Sequence, residues 1–433
     1  MFRGIVFVFV GLFVAFFILV EVMLSHQPGM QAPTAPSPED VQATKDFVEN
    51  VGSILQGDSI DHAVIAISED QGNSMMRVGA RVLPNAIAKL TVYDDVAWVE
   101  GAVQVPWIFG SRWLNASVAV APYNEKLSLH QVIIGGIRLP PDLTLQVGSF
   151  LVDQIAGKEL SAILLYAADE MSIEDQTLTF NLALSPDDRG AALDGVFSVL
   201  RGSQMPALEA TVDYYLAIRE AMESGELPLT GSFVPYIRFT LQAALDGDEA
   251  MLPSDRYTAA MIALTLACGS VHEAMAIGRI GALPDDVRQD WSTNCRQLTL
   301  HDRPDLRQHF ITAAAIQAIS NRGVSVSAGE FKELLDSMGT GRHAGFDFTD
   351  IAGNNSGIRL SNLMMSSPVE QWPVIIEMIQ ADEDIIISLD GIPGLLSRDE
   401  FEQRFGDVDS ASYAEVLDQI ESRIDSLPIH ELR

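Results

Sequence analysis

The chain has 433 residues, 48% of them hydrophobic, enough for two or three domains with real cores and too apolar for general disorder. Its 59 acidic and 27 basic side chains give a formal charge of −32. Such a surface repels phosphate backbones and anionic bilayers, which argues against a nucleic-acid partner and against peripheral lipid binding through a basic face.

Residues 4–20, GIVFVFVGLFVAFFILV, are apolar without interruption, and Val22-Met23-Leu24 follow Glu21. Together they approach the ~20 residues that a membrane-crossing helix needs. Residues 23–25 offer no small-residue cleavage site and there is no lipobox cysteine, so an uncleaved single-pass anchor is expected at 1–24, in contact with the membrane through 4–24. Arg3 lies before the span and only acidic or neutral residues follow it closely. The positive-inside rule then places residues 25–433 outside the cytoplasm. The composition reads as bacterial, which makes the membrane the inner membrane and that space the periplasm.

Residues 25–38 are rich in Pro, Gln and Ala and read as a tether. Ser37-Pro38-Glu39-Asp40 starts a helix on which Val41, Phe47, Val51 and Leu55 recur. From 76 to 184 short runs alternate apolar and polar residues, with breaks at Asp94-Asp95, Gly110-Ser111, Tyr123-Asn124 and Gly135-Gly136. A helical pattern interrupts them at 143–155, residues 160–167 read as a helix or a buried segment, and residues 171–185 close as a hairpin. The expected class is α+β: the transmembrane helix, a mostly antiparallel sheet domain with a few helices at 39–200, then an all-α domain at 205–433.

Within the sheet domain, Leu114-Asn115-Ala116-Ser117-Val118-Ala119-Val120 is followed by Ile133-Ile134-Gly135-Gly136-Ile137-Arg138-Leu139-Pro140. Gly148-Ser149-Phe150-Leu151 and Leu178-Thr179-Phe180-Asn181-Leu182 complete a pattern that resembles the YpmS-type family of anchored bacterial proteins. The resemblance implies an anchored sheet domain with an apolar groove and carries no catalytic motif.

Beyond 204 strand signals nearly vanish. Helices are expected around 208–219, at 234–245, at 254–268 (apolar nearly all round, hence central in a bundle) and at 271–280. Cys268 and Cys295 lie outside any CxxC or Cys/His cluster, so no structural zinc site is indicated. They are either two buried thiols or, outside the cytoplasm, one disulfide. The C-terminal end is acidic, and Ser397-x-x-Glu400 and Ser412-x-x-Glu415 have capping-box form.

Candidate chemistry concentrates at 301–357. Pro304 opens a helix to about 320 that carries Asp305 and His309 four apart on one face. A second helix, 328–338, carries Glu330, Glu333 and Asp336. After Gly339-Thr340-Gly341, the run Phe346-Asp347-Phe348-Thr349-Asp350 leads to Asn354, Asn355 and Gly357. One His among carboxylates suits acid/base hydrolysis or a divalent metal. His309, Glu333 and Asp336 are the candidate catalytic residues, Asp305, Asp350 and Asn354 the candidate binding residues, and His309 and Asp336 the candidate metal ligands, with Asp305 orienting the imidazole. The competing reading is structural: a hydrogen-bonded core His, a surface Glu333 beside Lys332, and an Asp350 that caps a helix starting near Ile351.

Asp305, His309 and Phe310, then Lys332, Glu333 and Asp336, then Gly345, Phe346, Phe348, Asp350, Asn354 and Gly357 together resemble a signature of the YfiM-type periplasmic lipoproteins and the VanZ-like membrane proteins. Leu306 departs from it, standing where those families have a basic residue. The resemblance implies a site and no reaction. G-x-S-x-G, Walker, G-x-G-x-x-G and HExxH motifs are absent. Two functions therefore stand: an anchored envelope protein that binds a lipid, a polymer such as a glycan, or a protein partner; or a metal-assisted or acid/base envelope hydrolase.

Overall fold

The computed structural model of the chain describes residues 20–56, 63–83, 85–107, 110–123, 126–140, 168–182, 208–269, 295–320, 322–338 and 344–432. The class is α+β, in two compact units, Met1–Val199 and Leu200–Arg433. Among the described residues no helix is long and apolar enough to cross a membrane. Residues 4–19 of the expected anchor, and the helical patterns at 143–155, 160–167 and 271–280, lie outside the described residues.

The N-terminal unit is built on an antiparallel meander. Strands β3 (Ala86–Val92), β4 (Ala97–Trp107), β5 (Gly110–Tyr123), β6 (Lys126–Ile134) and β7 (Ile137–Leu139) pair in sequence order. The expected turn at Asp94-Asp95 is closed by the Tyr93 N–H on the Val96 carbonyl at 2.9 Å. A second sheet has the order β2-β9-β8, with β2 at Ala63–Ser68 and the hairpin β8 (Ala168–Glu174) and β9 (Thr177–Leu182) turning at Asp175 and Gln176. Its Met171 and Leu178 share an apolar cluster with Leu90, Val92 and Ala97 of the meander.

Three expectations are corrected here. Residues 76–82 are not strand but the end of helix α2 (Glu69–Val82), which Ser68 and Gln71 cap as a box. Strand β2 was not foreseen, because six mostly apolar residues look alike in a buried strand and a buried helix. Nor does the stretch 25–38 behave as a free tether. Leu24 and Ser25 form strand β1 beside β5, the Gly29 N–H donates to Asn115 Oδ1 at 2.7 Å, and Asn115 Nδ2 donates to Ser25 Oγ at 2.6 Å. An extended, Pro-rich backbone has free N–H and C=O groups to offer a sheet edge, and this one uses them.

Helix α1 (Pro38–Gln56) starts as its sequence predicts. Ser37 and Asp40 bond reciprocally, Asp40 N–H to Ser37 Oγ at 3.2 Å and Ser37 N–H to Asp40 Oδ2 at 2.9 Å. Asp40 also receives Arg77 Nε at 2.9 Å, Arg77 Nη2 at 2.5 Å and the Ser74 hydroxyl at 2.6 Å, which ties α1 to α2. Burial opposes its charge, but these donors and the Arg77 guanidinium outweigh burial and hold the carboxyl down to about 2. A depressed carboxylate contributes stability above its unfolded value of 3.8 and loses it as pH falls toward about 2. Asp40→Asn is expected to cost roughly 2 kcal/mol at pH 7, and to flatten acid unfolding of the N-terminal unit between about pH 4 and pH 2. Urea melts across that window check both.

The C-terminal unit is mainly helical. It comprises α3 (Leu208–Ser224), α4 (Val234–Leu245), α5 (Pro253–Cys268), α6 (Pro304–Ile319), α7 (Arg322–Asp336), α8 (Phe348–Ser366), α9 (Trp372–Met378), α10 (Arg398–Phe405) and α11 (Ala411–Asp425). It is not all-α: two short pairs, parallel β10 (Thr230–Ser232) with β11 (Gln297–Thr299) and antiparallel β12 (Phe346–Asp347) with β13 (Leu395–Leu396), brace the loops. Every residue of α5 from Arg256 to Cys268 is buried, as an all-round apolar helix requires. Arg256 spends its charge on the end of α4, donating to the carbonyls of Leu245 at 2.9 Å and Gly247 at 3.1 Å. Cys268 and Cys295 form a disulfide, settling that alternative. Ser397 and Glu400 make the expected capping box on α10, whereas α11 is capped two residues early, by Ser410 rather than Ser412.

Candidate functional site

The site lies where α6, α7 and the start of α8 meet. Its entry is a turn at His301 and Asp302, both in left-handed backbone conformation, which these two residue types tolerate better than most. The turn delivers Arg303 to the head of α6, where Pro304 sits at the first position, fixing φ where no N–H is needed. From the other side, Phe346 and Phe348 are buried in an aromatic nest with Phe401, Phe405 and Tyr413; the rings of Phe346 and Phe401 stack at 4.4 Å. Two Phe anchors with Asp347 between them fix β12, and Asp347 caps α8 through the Thr349 N–H at 2.8 Å.

The helix that one reading starts near Ile351 is α8. It begins three residues earlier, and Phe348–Ser366 is one helix, buried from Phe348 to Ser361, in spite of its Asn-Asn-Ser-Gly run. Its glycines explain why: a Cβ on Gly357 would collide with the Phe310 carbonyl, and one on Gly353 would lie 3.1 Å from Leu306 Cδ2. Backbone-close packing of α8 on α6 outweighs the poor helix propensity of these residues. Gly357→Ala, favourable by ~1 kcal/mol in an open helix, is expected here to destabilise by roughly 1–3 kcal/mol, as chemical denaturation reads it.

This packing sets Asp350 and Asn354 against His309, which is only 6% exposed. Nε2 lies 3.0 Å from Asp350 Oδ2, and Nδ1 is 3.2 Å from Asn354 Oδ1. Burial favours the neutral ring, but the Asp350 hydrogen bond and charge outweigh it, so the basicity of His309 is raised. Asp305 does not orient the imidazole as expected. Arg303 takes its carboxylate at 2.6 and 3.2 Å and also reaches Asp350 Oδ1 at 2.7 Å, Asp347 at 3.5 Å and the Thr349 hydroxyl. Burial opposes the Arg303 charge, but Asp305, Asp350 and Asp347 raise its basicity further.

Glu333, on α7, is 1% exposed and no surface residue. Oε2 accepts the Asp347 N–H at 3.1 Å, and Oε1 has no hydrogen-bond partner. Burial, ahead of the opposing Lys332 charge, pushes its carboxyl up to about 7. Asp350 is not the cap of α8; it sits in the first turn. Asp336 stands apart. Its side chain is 43% exposed and accepts Lys332 Nζ at 2.8 Å, while the same ammonium lies 3.3 Å from His309 Nε2 and 3.7 Å from Glu333 Oε1. The group that could share a cation is His309, Glu333 and Asp350, whose donor atoms all lie within 4.8 Å of one another. The expected metal pair therefore keeps His309 and exchanges Asp336 for Glu333 and Asp350: the α7 turn that buries Glu333 turns Asp336 outward.

These residues face a pocket of about 470 Å³. Arg303, His309, Lys332, Asp336, Asp350 and Asn354 supply its polar wall, and Ala313, Ile316, Ala328 and Leu395 its apolar one; Glu333 lies a layer deeper. Asn354 Nδ2 is buried without a partner. Sequence reasoning missed Arg303 and gave Lys332 no role. The signal for the first was an Arg directly before the helix-opening Pro304.

Comparison with family models, curated proteins and solved structures finds no match to the chain. The reading of the site rests on its geometry.

Proposed function

We propose that the chain is a single-pass, membrane-anchored protein of the bacterial envelope that binds a small polar ligand in the pocket of its C-terminal unit. The observation that carries this reading is the pocket itself: a wall of mutually paired charges, with His309 and Asp350 buried, an Asn354 Nδ2 that has no hydrogen-bond partner and, behind it, a Glu333 Oε1 that has no hydrogen bond and only the Lys332 ammonium at 3.7 Å. Buried polar atoms without partners cost stability, and clefts with a few convergent polar groups on an apolar wall are what ligand sites look like. The mixed donors and acceptors suit a glycan unit or a lipid headgroup of the envelope. Asp305, His309, Lys332, Asp336, Asp350 and Asn354, half of the residues that carry the resemblance to the YfiM-type and VanZ-like families, line this pocket, which supports treating 301–357 as the working part.

The envelope location is supported by the apolar run 4–24 and by the disulfide, a feature of oxidising compartments. Leu24 and Ser25 join β5 directly, so an anchor ending near residue 23 would hold the sheet at the membrane surface. A groove of the N-terminal unit bounded by Asn73, Arg77, Lys89 and Glu100 is polar, which moves the ligand reading from the sheet to the helical unit. Hydrolysis is the second reading, favoured by His309 and Asp350 reaching the pocket wall as a pair. Glu333, a layer deeper, is poorly placed to touch a substrate.

Ala328, half-buried on the pocket wall, provides the test. Full-length protein extracted from its membrane should carry a bound small molecule in native mass spectrometry, and Ala328→Trp, which fills the pocket, should lose it at unchanged helicity. Equal retention of the molecule by the filled variant would sink the reading.

A further inference from the structure

The three innermost side chains of this site are arranged as the ligands of an ion. His309 Nε2 and Asp350 Oδ2 stand 3.0 Å apart, close to the separation of two ligands bonded at about 2.0–2.1 Å to one tetrahedral ion. Glu333 offers a third atom within 4.8 Å of both, and Oε1 is the buried oxygen without a hydrogen-bond partner. Each ligand is also held from behind by a group outside the trio. Asn354 Oδ1 faces His309 Nδ1, Arg303 donates to Asp350 Oδ1, and the Asp347 N–H donates to Glu333 Oε2. That outer shell fixes ring orientation and leaves one atom of each residue turned toward the other two, as metal ligands require.

We propose that His309, Glu333 and Asp350 bind one divalent transition-metal cation, with Zn²⁺ the first ion to test. The inference deepens, and rests on, the reading of this pocket as a ligand site. One nitrogen and two carboxylate oxygens are atoms that zinc takes, and their number, three, is that of zinc sites that keep a fourth position open; the pocket provides that position. Lys332 is the competitor: its ammonium lies 3.3 Å from His309 Nε2 and 3.7 Å from Glu333 Oε1. Asp336 already holds it from the outside at 2.8 Å, so the ammonium has a carboxylate to retreat to. The entering ion replaces that ammonium and the Nε2 proton, which leaves to solvent, while Nδ1–H keeps its bond to Asn354.

The experiment is calorimetric titration of ZnCl₂ into chelator-stripped, full-length protein in detergent. One Zn²⁺ per chain is expected. It should be lost in Glu333→Gln, weakened about 10–100-fold in Asn354→Ala, and tightened about tenfold in Lys332→Met, which removes a nearby like charge. Lys332 is 43% exposed, so that variant reports even where Glu333→Gln fails to fold. Absence of binding in both the unmodified chain and Lys332→Met overturns the proposal. So does Zn²⁺ binding of unchanged affinity in folded Glu333→Gln. Ala328→Trp separates the two readings: it should lose the organic ligand and keep the metal.

Discussion

Asp350→Ala is expected to destabilise the C-terminal unit by about 3–5 kcal/mol, the cost of breaking a buried charge pair from one side. Among the described residues, Asp350 is the only carboxylate within bonding distance of His309, and one of three on Arg303. Its loss leaves a buried imidazole with Nε2 toward Lys332, whose charge then repels the protonated ring. Arg303 keeps Asp305 and Asp347, which places the cost nearer the lower limit. At about 2–4 °C per kcal/mol for a unit of this size, the melting temperature should drop by at least ~6 °C. Asp350→Asn, which retains the shape and an acceptor, should cost less than half as much. In a cycle with His309→Ala the two losses should fall short of additive by at least ~1 kcal/mol, since each removes the same bond. Additivity would mean that the pair contributes nothing as a pair.

Cys268→Ser with Cys295→Ser should cost about 3–4 kcal/mol, from a bridge between positions 27 residues apart. Both cysteines are completely buried, Cys268 at the end of α5 and Cys295 beside the strand that leads to the His301 turn. Opening the bridge therefore releases the chain just ahead of Arg303, in addition to raising the entropy of the unfolded state. Unfolding in denaturant with and without reductant measures the effect on the unmodified chain. A reductant-dependent shift that disappears in the double variant is the expected result; an equal midpoint in both conditions would show the bridge to be energetically idle.

The sequence disclosed what local chemistry determines. Residues 234–245 and the helix ending at Cys268 read correctly because Pro in the first turn, all-round apolar character and Gly269 are each local signals. The head of α6 was equally legible, since Pro304 can open a helix and cannot continue one. Local logic failed where a distant partner decides. Four-residue spacing put Asp305 beside His309, but Arg303 is nearer in space and takes that carboxylate, and the partner of His309 comes from forty-one positions further along the chain (350 minus 309). A helix starting near Ile351 was one reading of Asp350, but nothing local reveals that Gly357 within it must pass against the Phe310 carbonyl. The cluster was legible as a stretch of sequence; its internal pairing was not.

Whether the cluster is kept for the fold or for a ligand is tested most directly by the melting temperature of Glu333→Gln, in chelator, beside that of the unmodified chain. A buried carboxylate with one oxygen outside any hydrogen bond, and only an ammonium at 3.7 Å beside it, is a burden on the ligand-free protein, tolerated where function requires it. The amide keeps the acceptor for the Asp347 N–H, removes the buried charge and turns its N–H₂ toward Asp350. A rise of a few degrees is expected, from about 1–2 kcal/mol of relief. A fall of similar size would mean that Glu333 supports the fold, and would contradict the assignment of these residues to a ligand site.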